Sequence, residues 1–286
     1  MKWKKIMKIS FRVFAVFLIL WLIMAQSCMK FKISDSKAKE DFKKAGVELT
    51  TVMIKVDGRN MHYAKTGYDT LPTIVFVHGS PGSWDAFAQY LQDKDLLSKY
   101  RMISIDRPGF GESDYGDAEN MQRQAELINP LFKQFNNGKP VYLAGHSLGG
   151  PMIVWLAADN PGMFSGLVLL AASVDPAEEK SEWWRYMLKG GVMRYFLPGA
   201  MRPSNVELVH FKKDVYALKD KFPLVKCKVF IVHGTKDTFV PVGNAAYAEK
   251  NLVNAASVET TLIPGANHFI PWQHYDVIKK VLMGLY

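Results

Sequence analysis

Residues 141–150 read VYLAGHSLGG, and this short stretch decides the fold. Val141–Ala144 is an apolar, β-prone run that predicts a buried strand, and LGGPMIVWLAA (148–158) predicts a helix directly after it. Between them Gly145-His146-Ser147-Leu148-Gly149 matches G-x-S-x-G. A strand that becomes a helix within so few residues must make a tight, strained turn. The flanking glycines relieve the contacts, and the serine oxygen is held at the strand's end beside a helix N-terminus. Ser147 is therefore the candidate nucleophile.

A serine hydroxyl is a weak nucleophile near neutral pH, so a base must take its proton and a third group must orient the base. After an elbow of this kind the chain order is serine, acid, histidine. Asp237 follows the apolar run Lys228–Val232, and His268 follows Thr260–Ile263; both lie in loops at strand C-terminal ends, where sites in open α/β sheets assemble. Asp175, just after the run Leu167–Ala172, occupies the other position from which a carboxylate could come. In Asp175-Pro176 it also reads as a turn or helix-cap residue. His62, His210 and His274 have no motif around them and read as surface or satisfied core residues. An oxyanion would need two backbone N–H groups. Leu148 is the expected first donor, and Ser80, in His78-Gly79-Ser80-Pro81-Gly82, the second, because Pro81 has no N–H. His78 is expected to shape that loop.

Outward from the elbow, apolar strands alternate with helical patterns: Thr73–Val77 then a helix near Trp84–Leu97, Met102–Ile105 then a helix near Met121–Phe135, and the elbow unit itself. This is the rhythm of a parallel sheet covered on both faces. Upstream, Thr51–Val56 and Asn60–Thr66 flank Asp57-Gly58, a hairpin signal. The rhythm breaks over 175–224, a stretch rich in Trp, Tyr, Arg, Lys and Pro that reads as a cap inserted between core segments 47–174 and 225–286. Eight aromatics lie between Pro176 and Phe222, Trp183 and Trp184 among them. So small a unit cannot bury them all. Some are expected to roof an apolar pocket.

Together the His78–Gly82 loop, Asp106-Arg107-Pro108-Gly109-Phe110-Gly111-Glu112-Ser113, the elbow and the two late loops resemble the α/β-hydrolase superfamily over roughly residues 50–286. The resemblance implies an α/β-hydrolase fold with a mostly parallel sheet of about eight strands, and a Ser147–His268–Asp237 triad. Asp237 is favoured over Asp175 because Val240-Pro241 follows it as in the family pattern. Segment 106–113 is expected to build a turn beneath the site without a chemical role. The implied activity is hydrolysis of a carboxylic ester in a small-molecule acyl substrate, with no metal or organic cofactor. Lipases, thioesterases, aminopeptidases, carbon–carbon bond hydrolases and cofactor-free perhydrolases share this triad, and a non-catalytic binding module on the same fold is the rival of another class. In relatives that open epoxides or dehalogenate alkanes the elbow residue is Asp, and here it is Ser147.

The net charge of +9 does not point to nucleic acid, because residues 1–44 carry 11 Lys/Arg against 3 Asp/Glu and residues 45–286 carry 25 against 24. The basic excess belongs to the N-terminus. Lys2, Lys4, Lys5, Lys8 and Arg12 precede an uninterrupted apolar run of 13 residues, Val13–Ala25, the layout of a signal peptide or anchor over 1–28. Ala25-Gln26-Ser27-Cys28 resembles a bacterial lipoprotein signal, departing from it where Leu and a small residue are usual. A lipidated Cys28 and an uncleaved anchor both leave the remainder tethered to a membrane outside the cytoplasm. Residues 29–46 read as a linker or short surface helix, and Cys227 as a buried structural thiol.

Overall fold

The computed structural model describes residues 2–27 and 31–286; Cys28, the expected lipidation site, lies outside the described residues. Eight strands form one sheet: β1 (Thr50–Val56), β2 (Arg59–Thr66), β3 (Thr73–Val77), β4 (Arg101–Ile105), β5 (Val141–His146), β6 (Gly166–Leu170), β7 (Lys228–Gly234) and β8 (Val258–Ile263), in the order β1-β2-β4-β3-β5-β6-β7-β8. β2 is antiparallel to both β1 and β4, and every other pair is parallel. Each residue of β3, β4, β5 and β6 is buried, which is why these strands read as largely apolar runs. The β1–β2 turn has positive φ at Asp57 (49°) and Gly58 (77°), the backbone that a two-residue hairpin requires.

Ahead of the sheet run α1 (Lys2–Ser27) and α2 (Asp35–Lys44). The segment expected as a linker or short surface helix holds α2, and Ala38 and Phe42 of that helix are buried beside Trp84. The helix expected over 84–97 is broken into a 3-10 turn (Trp84–Phe87), α3 (Ala88–Leu91) and α4 (Lys94–Lys99). Asp93 makes the break, its carboxylate accepting from the Asp95 and Leu96 N–H groups that open α4. The helix expected over 121–135 is likewise divided into α5 (Met121–Ile128) and α6 (Leu131–Phe135) at Pro130, which has no N–H to donate. α7 (Gly149–Asp159) runs from the elbow and is buried along nearly its whole length.

Between β6 and β7 lie α8 (Trp184–Met187), a 3-10 turn (Met193–Phe196) and α9 (Met201–Leu218). The two halves of this connection differ. Phe211, Val215, Leu218 and Phe222 join the core on the α7 face, whereas α8 and the 3-10 turn contain no buried residue. Of the eight aromatics expected to be shared between a small core and a pocket roof, only Phe211 and Phe222 are buried; the other six are exposed. α10 (Gly243–Asn251) follows β7, and α11 (Ile270–Gln273) and α12 (Tyr275–Met283) follow β8, with Ile270, Ile278 and Leu282 packing against the opposite face of the sheet.

Candidate active site

β5 ends at His146, and Ser147 takes φ = 54°, a left-handed backbone that costs a non-glycine residue about 1–2 kcal/mol. Hydrogen bonds from Ser147 N to Leu170 O (2.9 Å), from Gly150 N to Ser147 O (3.0 Å) and from Ser173 N to Ser147 O (3.3 Å) hold it there. A Cβ at position 145 would lie 2.3 Å from Gly149 O, and one at position 149 would lie 2.1 Å from Val77 O. Both glycines of the motif are therefore required by close backbone approach, as the sequence pattern implies.

The loops after β7 and β8 meet because Gly234 lets the Ala266 carbonyl approach; a Cβ there would be 2.4 Å from it. Thr235 N donates to Ile263 O (3.1 Å) and Lys236 N to Ala266 O (2.9 Å). This junction brings His268 Nδ1 to 2.7 Å from Asp237 Oδ2, with both residues buried. Asp237 Oδ1 accepts from the N–H groups of Phe239 (2.9 Å) and Val240 (2.8 Å). Burial works to raise the Asp237 pKa, but the His268 hydrogen bond and these amides outweigh it and hold the carboxyl below its ordinary value. Asp175, by contrast, accepts from Ala177 N–H at 2.9 Å, closing a turn.

The His78–Gly82 loop abuts the elbow: a Cβ at Gly79 would lie 2.9 Å from Ser147 Cβ. Neither the Ser80 nor the Leu148 N–H is engaged by an acceptor among the described residues. His78 Nδ1 donates to Gly79 O (2.7 Å), and its Nε2 accepts from Arg107 N–H (3.1 Å). Burial, reinforced by the Arg107 charge, drives the His78 pKa well down, so the ring is neutral.

Several further side chains support the site. Arg107, fully buried, donates from Nε to His78 O (2.9 Å) and from Nη2 to Gly79 O (2.9 Å), bracing the loop from segment 106–113. Its guanidinium is met by both carboxylate oxygens of Glu207 on α9, Nη2–Oε2 being 3.1 Å, and by Gln124 Oε1 at 3.0 Å. His146, the variable residue inside the elbow motif, donates from Nε2 to His268 O at 3.0 Å, and burial together with the neighbouring His268 pushes its pKa down to about 3. Phe239, Phe269 and Trp272 form an exposed aromatic rim, the Phe239 ring lying 5.6 Å from that of His268. Of the other histidines, His62 bonds Asp106 (2.7 Å), His210 bonds Lys189 (2.9 Å) and His233 Nε2 bonds Val240 O (2.9 Å). Cys227 is half-buried, and burial pushes its thiol up to about 11.

A family model described as the alpha/beta hydrolase fold matches residues 72–196, which hold β3 through the elbow and β6. The chain has the α/β-hydrolase fold. Among solved structures, a 2-hydroxy-6-oxo-6-phenylhexa-2,4-dienoate hydrolase from a Rhodococcus strain superposes with a TM-score of 0.66 at 18% identity, covering 84% of this chain and 99% of that one. Among curated proteins, epoxide hydrolase 4 of Mus musculus is 31% identical over 42% of this chain and 33% of its own length. Monoglyceride lipase of Homo sapiens is 26% identical over 60% of this chain and 59% of its own length. The chain thus spans less than two thirds of these curated relatives.

Proposed function

We propose that this protein is a serine hydrolase that cleaves a carboxylic ester through an acyl-enzyme. The observation that carries the proposal is the buried 2.7 Å hydrogen bond between His268 Nδ1 and Asp237, in a chain whose Ser147 is held left-handed at the strand-to-helix elbow. Asp237 fixes the imidazole with its proton on Nδ1 and leaves Nε2 as the base. Ser147 Oγ attacks the ester carbonyl carbon as its proton passes to His268 Nε2, and the Ser80 and Leu148 amides hold the oxyanion. Collapse expels the alcohol, which takes the proton from Nε2. Water, deprotonated by the same nitrogen, then releases the acid and restores Ser147.

The serine at the elbow favours acyl transfer over epoxide opening, which is expected where that position is Asp. The aromatic rim of Phe239, Phe269 and Trp272 favours an apolar group in the small-molecule substrate. In this reading 175–224 is a cap on a core of 47–174 and 225–286, and residues 1–28 tether the enzyme, the lysine-rich end of α1 remaining in the cytoplasm. Labelling by a fluorophosphonate probe and hydrolysis of a series of p-nitrophenyl esters test the proposal. Ser147→Ala is expected to lose both while keeping the wild-type circular dichroism; turnover or labelling at the wild-type level in that variant refutes it.

A further inference from the structure

The 183–196 half of the β6–β7 connection presents an apolar surface: Trp183 is 73% exposed, Tyr186 61%, Met187 58%, Val192 76% and Met193 44%. Contiguous apolar exposure of this kind marks a contact surface. Cations are interleaved with it. The Arg185 guanidinium lies 4.4 Å from the Trp184 ring centroid and that of Arg194 4.9 Å from Tyr195, with Lys189 between them in sequence. Aromatic rings beside long cationic side chains, apolar at the stem and charged at the tip, are the chemistry of the headgroup layer of a bilayer.

What identifies the occupant is the attachment of this half to α1. The last carbonyls of a helix lack intrahelical donors, and Ala25 O accepts from Gly199 N–H at 2.7 Å. Gln26 Nε2 donates to Tyr195 O (2.9 Å) and Leu197 O (2.8 Å), and Trp21 Nε1 donates to Phe196 O (3.2 Å). α1 is long and apolar enough to cross a membrane, and Phe14, Phe17 and Leu20 are more than half exposed along it. Trp21 and Ala25 lie about 6 Å apart along the helix axis at 1.5 Å per residue. Residues 195–199 therefore sit at the level of the last turn of α1, at whatever depth a membrane receives that helix.

We infer that the 183–196 surface rests in the interfacial layer of the bilayer that α1 enters, its apolar side chains below the headgroups and Arg194 among them. The inference rests on reading α1 as membrane-inserted and is independent of the chemistry at Ser147. Its test therefore does not read activity. The full chain is reconstituted in phosphatidylcholine–phosphatidylglycerol vesicles carrying a phosphatidylcholine with a diazirine near the glycerol end of one acyl chain, irradiated, and its adducts mapped by mass spectrometry. Adducts are expected within 2–27 and within 183–196, with a background level across 228–263. Met187→Asp/Val192→Asp is expected to lower the 183–196 adducts at least fivefold and leave those in 2–27 unchanged, while Met187→Leu/Val192→Ile labels as wild type. Adducts confined to 2–27 overturn the surface but keep the anchor, and absence from both overturns both. Undiminished labelling in the aspartate variant, or equal loss in the aliphatic one, overturns the role of these side chains.

Discussion

The ring of His146 donates from Nε2 to the main-chain oxygen of His268 at 3.0 Å, so the residue before the candidate nucleophile anchors the loop that carries the candidate base. With its pKa pushed down to about 3 by burial and by His268, the His146 ring stays neutral over the working range and keeps the proton that makes this bond. His146→Ala is expected to lose about 1–3 kcal/mol of stability, the cost of leaving a buried acceptor unpaired, and to lower kcat more than it raises KM. His146→Gln, which can donate to the same oxygen, is expected to recover part of kcat. Urea unfolding and ester kinetics on both variants check this; an unchanged kcat in the alanine variant would remove His146 from the positioning of His268.

Asp237→Asn is expected to reduce kcat by roughly 10⁴-fold, because the amide no longer fixes the imidazole tautomer. Asp175→Asn is expected to change it less than tenfold, since that side chain only closes a turn on Ala177. Steady-state rates on one ester decide the matter, and the opposite ranking would transfer the acid role to Asp175.

Removing the Glu207 charge leaves the Arg107 guanidinium buried with only neutral partners. Glu207→Gln is expected to cost about 3–5 kcal/mol, read from denaturant midpoints. Because Arg107 braces the carbonyls of His78 and Gly79, kcat on esters should fall along with stability. A variant as stable as wild type would mean that Gln124 and the loop carbonyls suffice to hold the guanidinium.

His62, on β2, faces Asp106 at 2.7 Å and Asp35, the first residue of α2, at 3.2 Å, with Glu112 nearby. Burial works to lower its pKa, but these carboxylates outweigh it and the folded-state value is raised above 6.5. A histidine raised on folding stabilises the fold in full below its unfolded pKa, about 6.5, and that contribution is lost as pH rises through the folded value. The stability difference between wild type and His62→Gln is therefore expected to be largest near pH 6 and to shrink towards pH 9. Thermal unfolding across that range checks it, and a constant difference would show that the imidazolium contributes nothing.

The central strands and the elbow were legible because both are written locally. A strand buried on both faces is mostly apolar, and a backbone that passes within contact distance of Val77 O admits only glycine at position 149. The loops bearing Asp237 and His268 were legible from their positions after strands. Arg107 and Glu207 were not, because their partnership spans 100 residues and neither side chain has a local pattern that announces a buried charge. The continuous helix expected over 84–97 failed because Asp93 turns its carboxylate back onto two amides, a local competition that apolar periodicity does not register. For the aromatics of 183–196, composition signalled density without saying which way the rings face.

The ion pair between Arg107 and Glu207 also sets the mechanics of the β6–β7 connection. It fastens α9 to the loop after β4 at a buried point, with Phe211 and Leu218 of α9 buried in the core. The connection is thus a beam clamped along its C-terminal half. Asn244 ties the other end of the connection at Val174 and Asp175, so bending falls ahead of α9, in the stretch where α8 and the 3-10 turn bury no residue. Just ahead of that clamp the beam is tied to α1 through Gly199 and Ala25. A force applied to α1 is therefore delivered where the buried half of the connection meets the unburied one.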